Sequence, residues 1–334
     1  METKNTTYYG MVDVLRLVFA ILVVSVHTMA FQSINEDLRI ATSMGIARLA
    51  VPFFFMVSGY FLYNRIKLEK EPKSTLKRLG FLYLAWVLIE VITLFPAVLS
   101  RYSSMGLIGT IITLLIAGVT GSLWYISSMI MTIFVISPLL KRDKLILLLI
   151  IGFALYVFGA SGDTYYGVFQ NTFLNPLISG YLSIFKFPQI GFNESILFIT
   201  LGVTLNKYKL NEKIKKAGLL SILSIILLLV EAFVLNKTGI AKDANLYLSS
   251  IIAAPLIMIW ALNYSKNISP KISRACKEYS IGIYCSHQIF MLYLLTFTPM
   301  LFANSMIKFI CTLAISALVI TILRKTKAKK ILLK

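Results

Sequence analysis

Residues 11–31 read MVDVLRLVFAILVVSVHTMAF, and the rest of the chain is best understood from this stretch outward. It has the length of a membrane-crossing helix, about 20 residues, yet it carries Asp13, Arg16 and His27. Ionisable side chains inside a span are costly and mark function by default. Arg16 and His27 stand eleven residues apart. At 3.6 residues per turn, eleven steps return to within roughly 20° of the starting direction and rise about 16 Å, so the two share one helix face. Asp13 falls within about 40° to 60° of the same line. A stripe of this kind cannot face lipid cheaply, and it is expected to face protein, water or a substrate path.

The remaining sequence has the same character. The 334 residues are 58% hydrophobic with a mean hydropathy of +0.81, far more apolar sequence than a soluble core hides. The apolar residues arrive in blocks near bilayer length, which predicts an all-α integral membrane protein of about ten transmembrane helices. The spans are expected near 11–31, 42–63, 79–99, 122–140, 144–160, 190–206, 217–235, 246–264, 279–299 and 301–323, forming one polytopic domain over residues 1–334. The apolar segment 105–119 is short for a span and reads as a peripheral or re-entrant helix. The connection 161–189 is broken by Gly162, Asp163, Pro176 and Pro188, and it is either a lid facing substrate or a plain connecting loop.

A net charge of +19 could suit nucleic acid, but the placement of the 33 basic residues argues for membrane topology and against a nucleic-acid partner. One set of loops carries Lys4; Arg65, Lys67, Lys70, Lys73, Lys77 and Arg78; Lys141, Arg142 and Lys144; Lys207, Lys209, Lys213, Lys215 and Lys216. It continues through Lys266, Lys271, Arg274 and Lys277 to a basic tail from Arg324 to Lys334. The alternate loops hold only Arg39, Arg101, Lys186, Lys237 and Lys242, while Arg16, Arg48 and Lys308 fall within spans. The positive-inside rule then places the basic side and both termini in the cytoplasm of a multi-pass plasma-membrane protein, in contact with membrane lipids. The first span contains charges and lacks a small-residue cleavage site after it, so it is expected to remain in the mature protein. Cys276, Cys285 and Cys311 show no metal spacing, and neither a disulfide framework nor a metal site is expected.

The second span contains Val51-Pro52-Phe53-Phe54-Phe55-Met56-Val57-Ser58-Gly59-Tyr60. Small residues such as Ser58 and Gly59 let helix backbones approach closely, so this segment is expected to pack against the first helix. Buried Glu90, Glu194, Glu231 and Arg48 are each costly alone, and interhelical salt bridges with Arg16, Arg48 or Lys308 are expected among them.

Taken together, Arg16 and His27 with ten residues between them, the Phe54-Phe55-x-x-Ser58-Gly59-Tyr60 core and the basic loop after it resemble the acyltransferase-3 family of integral membrane acyltransferases. Leu123-Trp124-Tyr125, residues 198–205 (FITLGVTL) and residues 279–287 (YSIGIYCSH) extend the likeness over most of the chain. Within the family it is similar to the membrane half of the vancomycin-resistance serine racemases, through residues 50–56 (AVPFFFM) and 161–167 (SGDTYYG). No pyridoxal-phosphate racemase domain is expected in a sequence that stops at Lys334.

The resemblance implies a bacterial membrane O-acyltransferase, usually an O-acetyltransferase. Such enzymes carry an acyl group from cytoplasmic acetyl-CoA or another acyl-CoA to a hydroxyl of an extracytoplasmic glycan or other cell-envelope acceptor. Attack by a hydroxyl on a thioester needs a base active near neutral pH, which imidazole supplies, so His27 becomes the candidate base. Arg16 would anchor phosphate or stabilise developing negative charge, with Asp13 orienting it. Lys73, Lys77 and Arg78, at the start of the third span, are placed to meet the phosphates of coenzyme A, although the family commonly has an Arg-x-x-Arg pair there; topology and anionic lipid give an equally simple account of them. Ser58, Trp124, Tyr125, Glu194 and His287 complete the expected pocket, with His287 in a supporting role and the two aromatics either lining it or anchoring a span end. The rival reading is an amino-acid transporter or binding domain, for serine, in which the Asp13, Arg16 and His27 stripe holds a zwitterion.

Overall fold

The computed structural model describes residues 9–67, 72–185, 187–264, 268–300 and 303–333. Lys4, Lys70, Lys186, Lys266 and Lys334, together with the side chain of Lys67, lie outside the described residues. The described chain is helical throughout, with no strand among these residues. In order the helices are α1 (Gly10–Thr28), α2 (Glu36–Arg39), α3 (Ala50–Lys67), α4 (Lys73–Thr93), α5 (Phe95–Ala117), α6 (Trp124–Lys141), α7 (Leu145–Ser161) and α8 (Tyr166–Phe169). They continue as α9 (Asn175–Phe185), α10 (Phe192–Lys207), α11 (Leu210–Lys213), α12 (Ala217–Lys237), α13 (Ser250–Tyr264), α14 (Pro270–Phe297), α15 (Ser305–Leu323) and α16 (Lys329–Leu332). Seven helical runs among the described residues are long and apolar enough to cross a membrane: α1, the continuous run Glu36–Ile66, α5, α6, α12, α14 and α15. Helices α7 and α13 are shorter and equally apolar.

Local chemistry sets several boundaries. Ser269 caps α14, its side chain accepting from the Ile272 N–H, with Pro270 in the first position where its missing N–H costs nothing. Asn304 caps α15 by accepting from Met306 and Ile307. The second run is not one regular helix: a π turn, Ile40–Gly45, and a 3-10 turn, Ile46–Leu49, precede α3. Pro52 is therefore in the first turn of α3, where a helix tolerates it. Helix α4, which holds most of the span expected at 79–99, begins at Lys73 and ends at Thr93, its first turns being basic.

Helix α10 is the axis of the bundle, with Phe198, Ile199 and Thr200 fully buried. It packs backbone to backbone against α3. A Cβ placed on Gly59 would stand 1.9 Å from the Ile199 carbonyl oxygen, and one on Gly202 would stand 2.0 Å from that of Met56. The glycine at position 59 thus serves α10, while the expected packing of this segment on α1 is made by its side chains, the Phe53 and Phe19 ring centres lying 4.9 Å apart. Helix α1 also lies along α14, where the Ser280 hydroxyl donates to the Arg16 carbonyl at 2.9 Å.

Hydrogen bonds sort the connections into two ends. At one, Arg65 meets Ser74 at 2.9 Å, Asn206 meets the Tyr60 carbonyl at 2.7 Å, Lys207 pairs with Asp143, Asn263 meets Asn211 at 2.9 Å, and Arg324 pairs with Glu278 at 2.7 Å. This is the basic end. At the opposite end Ser33 meets Ser305 at 2.9 Å, Lys237 pairs with Asp37 at 2.6 Å, Gly167 N–H donates to the Ile240 carbonyl at 2.8 Å, and Tyr293 donates to the Thr93 carbonyl at 2.5 Å.

Helix α5 has the length of a span but not its course. Gly106, at φ +70° and ψ −178°, breaks it into arms 95–105 and 107–117, each about 16 Å long. Both ends return to Glu90: the Leu94 N–H donates to the Glu90 carbonyl at 2.7 Å, and the Val119 N–H donates to the Glu90 carboxylate at 2.6 Å. Thr120 Oγ1 donates to the same carboxylate at 2.6 Å, and Arg101 Nη2 reaches the Val119 carbonyl at 2.9 Å. The chain enters and leaves this helical hairpin at the same end of the bundle.

Candidate functional site: two chambers along the first helix

The helical period of α1 separates its three ionisable residues into two places. Asp13 and Arg16 form an ion pair at 2.8 Å near the basic end, and Ser273 donates to the other Asp13 oxygen at 2.5 Å. They line a chamber of about 530 Å³ together with Ser58, Arg65, Arg78, Tyr125 and Lys277. His27, about three turns further along, lines a second chamber of about 90 Å³ with Arg48, Trp124, Gln189, Glu194 and Asn245. Tyr284 borders both chambers. Its ring packs against Phe54 and Tyr125, with centroids 6.2 and 5.4 Å away, and its hydroxyl donates to the Ser122 carbonyl at 2.7 Å. Tyr284, backed by Phe54 and Tyr125 on the side of the first chamber, stands between the two.

The first chamber is cationic. Arg16, Arg65, Arg78 and Lys277 outnumber Asp13, and field lines in a cleft of one sign draw in anions. Of the cations expected from the loop after α3, only Arg78 lines it. Lys73 and Lys77 do not, and the Lys77 ammonium sits 5.9 Å from the Phe81 ring centre instead. Arg65 and Lys277 were missed because a sequence counts them as topology signals; their neighbours across the chamber are set by packing.

In the second chamber, Gln288 Nε2 lies 2.8 Å from His27 Nδ1. As placed, the amide donates to Nδ1 and leaves the imidazole proton on Nε2; rotating the amide by 180° brings its oxygen to Nδ1 and moves the proton there, so the Gln288 orientation sets the His27 tautomer. His287 lies behind His27, ring centres 5.1 Å apart, fully buried and lining neither chamber. Its Nδ1 donates to the Ile283 and Tyr284 carbonyls at 3.0 and 2.8 Å, while its Nε2 has no partner among the described residues. Trp124 and Tyr125, adjacent in sequence, face different chambers. Gln288 was missed although it directly follows the motif ending in His287.

The interhelical salt bridges expected of the buried charges do not form. Glu90 is held by Val119 and Thr120 as described, and Glu231 accepts from the Leu248 and Ser249 N–H groups, each at 2.8 Å, and from Tyr165. Backbone donors at helix breaks satisfy these carboxylates, and hydropathy gives no sign of them. Arg48 donates through Nη1 to Asn245 Oδ1 at 2.5 Å. Asn245 in turn is fixed by Asp163, which accepts from its backbone N–H at 3.0 Å and its side-chain Nδ2 at 3.1 Å. Asp163 lies just past α7; burial pushes its carboxyl up to about 7, against the pull of Asn245 and Arg48. Among the described residues, no group of three or more His, Cys, Asp and Glu is placed to hold a metal ion.

A family model described as an acyltransferase domain matches residues 10–325. An amino-acid racemase of Enterococcus faecalis is 25% identical over 337 residues, covering 96% of this chain and 47% of that protein. A serine/alanine racemase of Enterococcus gallinarum is 27% identical over 258 residues, covering 75% of this chain and 37% of that protein. The chain spans about half the length, or less, of these relatives. No solved structure matches it.

Proposed function

Since this chain belongs to the acyltransferase-3 family of integral membrane proteins, we propose that it is a membrane O-acyltransferase, moving an acetyl or similar acyl group from cytoplasmic acyl-CoA to a hydroxyl of a cell-envelope acceptor. The observation that carries this reading is the pair of chambers on either side of one aromatic wall, the larger cationic and the smaller holding His27. Ten membrane crossings with both termini cytoplasmic accord with it, since the basic loops gather at one end of the bundle.

In this reading the donor enters the larger chamber from the cytoplasm. Arg65, Arg78 and Lys277 meet its phosphates, and Arg16, steadied by Asp13 and Ser273, faces the thioester end. The acceptor hydroxyl lies in the smaller chamber beside His27. With the Gln288 amide rotated so that its oxygen accepts the Nδ1–H, the Nε2 lone pair of His27 is free to act as base. The hydroxyl oxygen bonds to the acyl carbon, the carbon–sulfur bond breaks, and the hydroxyl proton passes to the imidazole and on to the departing thiolate. Tyr284, Phe54 and Tyr125 must yield for the thioester to reach the hydroxyl beside His27.

Thermal stabilisation of the detergent-purified full chain tests the donor site, because a ligand that binds only the folded state raises the melting temperature with dose. Acetyl-CoA should stabilise the wild type and Lys73→Ala/Lys77→Ala alike, and fail to stabilise Arg78→Gln. No response of the wild type at saturating acetyl-CoA would overturn the reading. The names of the relatives favour a second one, an amino-acid-handling membrane domain, which predicts stabilisation by L-serine without any response to acetyl-CoA.

A further inference from the structure

The smaller chamber contains a guanidinium and a carboxyl group that do not pair with one another. Arg48, in the 3-10 turn Ile46–Leu49, spends one N–H on Asn245, and its Nε is buried without a partner among the described residues. No carboxylate lies within 4.0 Å of it among the described residues, although Asp163, Asp243 and Glu194 are close enough to act on it through space. Glu194, in the first turn of α10, is 3% exposed and accepts no hydrogen bond from any described residue. Both line the chamber that holds His27.

A guanidinium inside a membrane protein without a direct counter-ion is expensive. Here the fold keeps it so by construction. Asp163, the carboxylate behind it, is occupied by Asn245 and by the Leu246 N–H at 2.8 Å, and it presents to Arg48 a neutral amide oxygen in place of its own charge. Arg48 is thereby aimed at the chamber with donors to spare, in the fork that matches a carboxylate.

We infer that the acceptor carries a carboxylate next to its hydroxyl, that the carboxylate docks on Arg48, and that Glu194 takes a second hydroxyl or an ammonium of the same molecule while His27 faces the hydroxyl to be acylated. A chamber of 90 Å³, at about 10 to 15 Å³ per water-sized probe, has room for about six to nine heavy atoms. That suits a three-carbon hydroxy acid or the acidic end of a larger acceptor. The inference rests on the proposed acyl transfer only for the role of His27; the carboxylate site stands apart from it.

The test compares D-lactate, L-lactate and glycerate with their uncharged counterparts propane-1,2-diol and glycerol, by thermal shift and equilibrium dialysis on the purified full chain. The acids should stabilise the wild type with dose and the alcohols should not. Binding should weaken about 10- to 100-fold in Arg48→Gln, and Arg48→Lys should recover part of it. Equal stabilisation by acids and alcohols, unchanged acid binding in Arg48→Gln, or no response to any acid would each overturn the inference. Should Arg48→Gln not yield folded protein, the acid-against-alcohol comparison on the wild type decides alone. Acetyl-CoA is run in parallel: a donor response without an acid response defeats this inference and spares the acyltransferase reading, and the converse result does the opposite.

Discussion

Replacing Gly202 by Ala should force α3 and α10 apart. The added methyl would stand 2.0 Å from the Met56 carbonyl oxygen, whereas carbon and carbonyl oxygen at closest approach lie about 3.3 to 3.6 Å apart, so the helices must separate locally by more than about 1 Å. Overpacking a core costs about 1 to 3 kcal/mol. Parting each close Cα–H···O pair between the helices adds about 0.5 to 1 kcal/mol, giving about 2 to 4 kcal/mol in all. Gly59→Ala meets the same obstacle from the other side, at 1.9 Å from the Ile199 carbonyl. Both substitutions are relieved by one displacement, so the double variant should cost little more than either single one, a departure from additivity that neighbouring sites allow. Gly80, whose Cβ would meet nothing within 4 Å, is the control, and its alanine variant should be neutral or slightly stabilising. Unfolding in mixed micelles, followed by circular dichroism, measures all four. Fully additive effects, or single effects no larger than that of Gly80→Ala, would refute the reasoning.

Glu90→Leu should destabilise by about 1 to 3 kcal/mol, since the buried Val119 N–H loses its acceptor; Glu90→Gln keeps one acceptor and should lose less, and limited proteolysis near Gly106 would report the loosened hairpin. Gln288→Leu should lower kcat while leaving the KM for acetyl-CoA unchanged, and Gln288→Glu should restore turnover with the acidic limb of the pH profile moved upward, as expected when a carboxylate faces the imidazole; a parallel fall in both constants would assign Gln288 to packing. Asp163 binds its proton more tightly when folded, at about 7 against an ordinary 3.8. Its contribution to stability is therefore full below the ordinary value, declines as pH rises through the window between them, and is flat above it. The difference in melting temperature between wild type and Asp163→Asn, scanned from pH 4.5 to 8.5, should carry that slope, and a difference independent of pH would exclude it.

Much of the bundle is legible along one dimension. The periodicity of α1 gives the shared line of Arg16 and His27, and charge counting predicts that Arg65, Lys141 and Lys207 belong to one end. What periodicity leaves open is which helix covers a given face. Gly59 is visibly a site of close approach, but its partner on α10 lies more than a hundred residues away, and α1 fits the same pattern equally well. The same limit hides Arg65 and Lys277, which join Arg78 only once α3, α4 and α14 have packed. Buried carboxylates mislead for a different reason: an expected salt bridge between side chains is written in residue types, whereas Glu90 and Glu231 are satisfied by backbone N–H groups at helix breaks, which no residue type announces. Arg48 and Gln288 share that obscurity, since their roles come from the turn and the neighbouring side chain that hold them.

The wall of Phe54, Tyr125 and Tyr284 also bears on the energised bilayer. Each elementary charge moved across a membrane does electrical work of about 2.3 kcal/mol per 100 mV. Tyr284 packs against Phe54 and Tyr125 between the two chambers, and a barrier of such rings would bear voltage while barring ions. In the proposed transfer, an uncharged acyl thioester arm reaching past them would feel none of that voltage, while phosphates at Arg65, Arg78 and Lys277 would stay at the side they entered. A protein built this way could export a chemical group continuously without discharging the membrane that houses it.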